Sequence, residues 1–277
     1  MHRQLKFIWP LLFATMSCAL NTAVVKVSGT IVVFGVSKNK IVVAADSRGK
    51  DEAGEYADHQ CKIITLSDKF IFASNGMAAL RLDEISDPPQ QRFQIMDVNK
   101  EARIAFEAIP PMSQDFLAKI AINWGENISQ IFEREIKRWG PKMVLGEAAE
   151  GPIINGYFFG LSPTGGLSLY MENIYRSGNG ISFDPQPKVT PLSDVVAWAL
   201  QGRTELAQKE RSEWDRRSIS LPNSEDRDVL RAILWVQLTL DANPRNHEIG
   251  GPIDSLTVTP TGGIRWYHQK KECQEQH

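Results

Sequence analysis

Gly29-Thr30-Ile31-Val32-Val33-Phe34-Gly35-Val36-Ser37-Lys38-Asn39-Lys40-Ile41-Val42-Val43-Ala44-Ala45-Asp46-Ser47-Arg48 reads as two strands around a tight turn. The first lies in the β-branched run Ala23 to Val36, and the second in Lys40 to Asp46, with Lys38-Asn39 between them. Valine and isoleucine stiff at Cβ favour the pleated conformation, and Lys-Asn suits a reversal. The second strand ends in a polar cluster, Asp46-Ser47-Arg48. A few residues on, Cys61-Lys62-Ile63-Ile64-Thr65-Leu66-Ser67-Asp68-Lys69-Phe70-Ile71-Phe72-Ala73-Ser74-Asn75-Gly76 reads as a second hairpin about Ser67-Asp68. The polar, glycine-bearing stretch between them, residues 49–60, reads as a loop.

Outward from these hairpins the pattern alternates. Met77–Ile85 and Glu101–Ile109 are expected as helices, each stopped by prolines. Ser113 is the expected N-cap of a long helix reaching Trp139. Phe116, Ile120, Trp124, Ile128, Phe132 and Trp139 share one face of it, which marks them as core. Strands are expected at Pro152–Leu161 and Leu167–Tyr175, about Pro163 to Gly166. Two helices follow, Leu192–Ser212 and Ser224–Ala242, with a charged surface at Glu210 to Arg217. A hairpin, Ile253–Thr259 with Ile264–Tyr267, ends the pattern. Short hairpins with helices segregated in pairs imply an antiparallel α+β layered domain.

Composition narrows the function. The chain has 277 residues, 42% hydrophobic and 23% charged, as in an ordinary globular domain. A net charge of −2 gives no field that would recruit nucleic acid. Three cysteines without a CxxC pair and five scattered histidines offer no metal motif, so neither metal nor cofactor is expected. Cys61 and Cys273 read equally as a disulfide or as two free thiols. Arg3 and Lys6 precede an apolar run, Phe7 to Leu20, which ends on the small residues Ser17-Cys18-Ala19 and Leu20. This reads as an export signal over residues 1–19, too short to span a bilayer. A lipidated Cys18 and a cytoplasmic chain with a buried N-terminal element are the alternatives. After signal removal no membrane-spanning segment is expected.

A threonine hydroxyl needs a base to act as a nucleophile. If cleavage after Gly29 makes Thr30 the first residue, its own α-amine, which titrates near neutrality, can serve. Asp46, Lys62 and Gly76 follow Thr30 by 16, 32 and 46 residues, each at the end or start of an expected strand. Taken alone each has a plainer reading: a turn, a surface lysine, a helix start. Ser28 and Thr22 are rival nucleophiles, Ser28 being two residues out of this spacing.

In these two stretches the chain resembles the proteasome β-subunit family of N-terminal-nucleophile hydrolases. The family's mature N-terminal threonine, catalytic aspartate and lysine, and oxyanion glycine fall on Thr30, Asp46, Lys62 and Gly76. The resemblance implies a four-layer αββα sandwich of antiparallel sheets. It also implies residues 20–29 as a propeptide, residues 30–270 as the hydrolase domain with an insertion near 86–112, and self-assembly into a homo-oligomer. The implied activity is threonine-type peptide hydrolysis, self-processed at Gly29-Thr30, on peptides or unfolded chains. A non-catalytic subunit of the same fold and an acylase acting on small amides are the alternatives. Arg176-Ser177-Gly178-Asn179 resembles the family's GSGS-like segment, making Ser177 a supporting candidate. Where the family carries Asp-x-x-Ser-Gly-Gly, this chain reads Asn246-His247-Glu248-Ile249-Gly250-Gly251, and Asp241, five residues earlier, is a candidate substitute for the acid.

Overall fold

In a computed structural model of the chain, residues 22–29, 31–51, 56–58, 60–84, 92–110, 115–146, 151–162, 164–184, 188–189, 192–202, 212, 215–222, 224, 226–242 and 249–274 are described. Thr30, Ser113 and the segment 243–248 lie outside the described residues, as does the expected signal.

The first hairpin forms as expected, as β2 (Ile31–Val36) and β3 (Ile41–Ala45), both buried throughout. Every residue of this pair is apolar because both faces are covered. Val32, Phe34, Val43 and Ala45 point into one core, and Ile31, Val33, Val42 and Ala44 into another. With β13 (Ala197–Gly202), β14 (Asp254–Thr259) and β15 (Gly263–His268) they make a five-stranded sheet ordered β13-β2-β3-β14-β15. All of its pairings are antiparallel.

The larger sheet has ten strands. Its spine runs β11 (Gly180–Phe183), β10 (Leu167–Ser177), β9 (Gly151–Leu161), β7 (Phe70–Glu84), β1 (Thr22–Gly29), β4 (Gly49–Asp51) and β5 (Tyr56–Ala57). β6 (Ile63–Thr65) and β8 (Arg92–Asp97) also pair with β7, and β12 (Lys188–Val189) with β10. Ile71, Ala73, Tyr157, Phe159 and Leu169 of this sheet meet the inner face of the small sheet.

The outer faces carry helices. α1 (Val98–Ala108) and α2 (Phe116–Trp139) cover the large sheet, where Trp124 packs on Phe72 and Phe158. Phe116, Ile120, Trp124, Ile128 and Phe132 are buried in one core, as their spacing predicts, with Trp139 at its margin. Each large apolar side chain so buried contributes roughly 1.5–3 kcal/mol. A short α3 (Pro141–Leu145) follows α2. α4 (Arg227–Ala242) lies on the small sheet through Val229, Ala232, Trp235 and Val236. The layers therefore run helices, sheet, sheet, helix, an α+β sandwich. α5 (Lys271–Gln274) ends the described chain.

Two expected helices are strands. Met77–Glu84 continues β7, because this stretch pairs with β1 on one edge and β8 on the other, and two ladders outweigh the helix preference of Ala and Leu. Within 192–212, Ala197–Gly202 forms β13 on the edge of β2. There Trp198 lies over Gly35, where an added Cβ would meet its ring at 2.9 Å, and against Trp235. The expected loop at 49–60 carries β4 and β5. α2 is capped at Asp115, whose φ is 58°, with no side-chain capping bond.

Candidate active site

β3 delivers Asp46 and β6 is preceded by Lys62, so two strand ends in different sheets bring the two side chains together. Both are buried, Asp46 at 1% exposure and Lys62 at 3%. The Lys62 ammonium donates to Asp46 Oδ1 and, at 2.8 Å, to the Arg48 carbonyl. An ammonium has three N–H donors; the described residues supply these two acceptors. Asp46 Oδ1 also accepts from the Ile31 N–H at 3.1 Å, and Oδ2 accepts from the Gly250 N–H at 3.0 Å. A charged carboxylate is tolerated here because each oxygen is hydrogen-bonded and one is ion-paired.

Burial pushes the Lys62 ammonium below the ordinary lysine value, and Asp46 pulls it part of the way back. A second buried pair lies behind it. Lys270, on the chain leaving β15, meets Asp254 Oδ2 at 3.3 Å and donates to the Gln60 carbonyl at 2.6 Å. Its charge adds to the downward pull on Lys62. Burial raises the Asp254 carboxyl, with Lys270 opposing. Cys61, next to Lys62, is disulfide-bonded to Cys273. Of the two readings left open by the sequence, the structure has the bridge.

Neither a scan against protein-family models nor a search of curated proteins finds a match.

Gly76 sits in β7 opposite Gly29 on one side and Ile154 on the other, with φ of +93°. An added Cβ would lie 2.3 Å from the Ile153 carbonyl oxygen, so only glycine fits. Asn75 beside it is held by the Tyr157 hydroxyl, which donates to Asn75 Oδ1 at 2.7 Å. Gly29 also pairs with Gly49 of β4. β1 thus ends at Gly29 in the large sheet, and β2 begins at Ile31 in the small one. The residue between, Thr30, lies outside the described residues, but both of its chain neighbours touch the site: Gly29 through Gly76, Ile31 through Asp46.

Ser177 is exposed at the end of β10, paired with Gly180. It stands two strands from β7 and three residues past Ile174, which is level with Gly76 through Ile154. No hydrogen bond among the described residues joins it to Asp46 or Lys62. Asp241 accepts from Gln237 Nε2 at 2.9 Å on the exposed side of α4, and that is its only described side-chain bond. Ser28 is an internal residue of β1, paired with Lys50 and Met77, and Thr22 pairs with Glu84 at the far end of β1.

Sequence reasoning missed Gly250. Besides donating to Asp46, it accepts from the N–H groups of Ser47 (3.1 Å) and Arg48 (2.9 Å). Its φ is +143°, and an added Cβ would lie 2.9 Å from the Arg48 guanidinium carbon. Gly251 has φ of +71° and leaves Ser47 Oγ the room a Cβ would take. The signal was the Gly250-Gly251 pair itself. Arg48 is turned outward to Asp58, at 2.5 and 2.9 Å. Among the described residues no group of three or more His, Cys, Asp or Glu is placed to hold a metal, and no helix is long and apolar enough to cross a membrane.

Proposed function

We propose that this protein is a threonine-type N-terminal-nucleophile hydrolase of the proteasome β-subunit type, which frees Thr30 by self-cleavage and then hydrolyses peptide bonds. The observation that carries this reading is the buried Asp46–Lys62 pair tied to the N–H of Ile31, the residue next to Thr30. A buried ion pair costs desolvation and is weak support for stability by itself. Attached to the residue beside a nucleophile, it supplies a fixed positive charge where an alkoxide would develop. The α+β arrangement of antiparallel sheets and helices is compatible with the sandwich that the family resemblance implies.

In processing, Thr30 Oγ bonds to the Gly29 carbonyl carbon. The Gly29–Thr30 C–N bond breaks, and its nitrogen takes up the hydroxyl proton and becomes the α-amine. Water hydrolyses the ester, leaving Gly29 as a carboxylate. In turnover the α-amine takes the Oγ proton and passes it to the leaving amine, and the acyl ester is hydrolysed in the same way. Lys62 lowers the cost of the charged oxygen, and Asp46 keeps Lys62 charged and oriented. The Gly76 N–H is the oxyanion donor. Ser177 remains the supporting candidate that the resemblance implies, and no step here is routed through it.

The Cys61–Cys273 bridge supports an exported protein, because such bonds persist in oxidising compartments. Thr30→Ala should abolish both self-cleavage and peptide hydrolysis, read by mass and by release from a fluorogenic peptide. Lys62→Ala should block maturation, read the same way. Retained hydrolysis in Thr30→Ala would contradict the mechanism.

A further inference from the structure

We propose that Lys270, paired with Asp254, is a positioning residue for Lys62: it clamps the segment Gln60–Lys62 from the C-terminal end of the chain and so sets where the Lys62 ammonium stands in the site. The proposal rests on Lys62 serving Thr30 as the nucleophile.

Gln60, Cys61 and Lys62 lie between β5 and β6 and belong to neither strand. The segment that delivers Lys62 is therefore held by other means. The Gln60 N–H donates to the Ser47 carbonyl at 3.2 Å, and the Lys62 carbonyl accepts from the Ser74 N–H at 3.0 Å. The Cys61 carbonyl accepts from Asn99 Nδ2. The remaining ties come from beyond β15. Lys270 Nζ donates to the Gln60 carbonyl at 2.6 Å, and Cys273 is bonded to Cys61.

Asp254 gives this clamp its register. It opens β14 opposite Ala45, the residue before Asp46. Its Oδ1 accepts from the Lys270 N–H at 2.9 Å, and its Oδ2 meets Lys270 Nζ at 3.3 Å. The strand that delivers Asp46 and the segment that delivers Lys62 are thus tied to one buried pair, with Asp254 at 1% exposure and Lys270 at 7%. Such a pair is weak support for stability by itself, so its place behind Lys62 calls for another role.

The pair also acts through charge. Lys62 is faced by Asp46 at the end of β3, by Asp254 of β14 and by Lys270. His268 of β15 lies 3.9 Å from Asp254, and the Arg48 guanidinium is turned away to Asp58. In the mature protein the Thr30 α-amine joins them. Burial is the largest cause of the lowered Lys62 pKa, opposed by Asp46; within the second pair, the downward pull of Lys270 exceeds the upward pull of Asp254. Hydrolysis that needs a charged Lys62 falls as pH rises through its pKa. Removing the second pair raises that pKa and moves the fall to higher pH.

The test uses the full chain carrying Asp254→Asn and Lys270→Met together, which leaves no buried charge unpaired, with a fluorogenic peptide amide ending in Val-Ser-Gly. Rates are counted per chain that begins at Thr30, read by intact mass. We expect kcat to fall at least about tenfold with KM within about twofold, and the alkaline limb of kcat to move to higher pH. A folded double variant that stays uncleaved after Gly29 gives the same answer as a lost kcat. Lys270→Gln, which keeps an N–H donor and removes the charge, should move the limb likewise with a smaller loss of kcat. An unmoved limb in a folded variant of either kind, or an unchanged kcat in the double variant, would overturn the proposal while the parent stays active. A parent without Thr30-dependent hydrolysis would overturn the nucleophile reading beneath it.

Discussion

At the scale of single residues, the site depends on glycines as much as on charges. Gly250 holds Asp46 from the side opposite Ile31, and its φ of +143° disfavours any side chain. Gly250→Ala should cost about 1–3 kcal/mol of stability, measured by denaturant unfolding, and lower peptide hydrolysis at least about tenfold. An unchanged hydrolysis rate would remove Gly250 from the positioning of Asp46. The meeting of Asp46 and Lys62 was legible in the sequence, because each lies at the end or start of an expected strand. Gly250 was not, because it is 204 residues from its partner, and only the folded chain brings them together. Ser177 was read from a short Ser-Gly segment, and the structure gives it no described hydrogen bond to Asp46 or Lys62.

At the scale of elements, the strands that pair on both edges were the hardest to read. Met77–Glu84 has the apolar content of a short helix, and nothing local says that β1 and β8 will flank it. α2 was legible throughout because its apolar stripe has a helical period over its whole length. Beneath α2, β10 carries a buried Glu172, beside Gly125. Oε1 accepts from the N–H groups of Asn173 (3.1 Å) and Asp184 (2.8 Å), while Oε2 has no partner among the described residues. Burial raises its pKa from the ordinary 4.5 to about 8, with the two N–H bonds opposing. The folded state then binds a proton that the unfolded state has released between these values. This contribution to stability is full below pH 4.5 and is lost as pH rises through about 8. Glu172→Gln, which stays neutral, should flatten the fall in stability over that window, measured by unfolding at a series of pH values. An identical pH profile in the two proteins would show that Glu172 is charged in the fold.

At the scale of the molecule, the two sheets and their helices surround a site that draws on both ends of the sequence. Cys61 and Cys273, 212 residues apart, close nearly the whole described chain and pin α5 beside Lys62 and Lys270. Closing so long a loop restricts the unfolded chain, so Cys61→Ser with Cys273→Ser should cost about 2–5 kcal/mol, read as a lowered denaturation midpoint. A midpoint unchanged from the parent would mean that the bridge does not form in the isolated protein. The layered α+β class was legible from hairpin spacing, although the expected pairing of helices fails where Ala197–Gly202 and Met77–Glu84 are strands. The order of strands was not, because β1 lies between β7 and β4, a placement set by long-range pairing alone.

If Thr30 is the nucleophile, it becomes the first residue of the working protein. The intact mass and N-terminal sequence of the purified, mature protein show whether it does. A chain beginning at Thr30, with Cys61 and Cys273 still bridged, is the predicted result. A chain that begins near residue 20 and keeps Gly29-Thr30 intact while it hydrolyses peptides would contradict it.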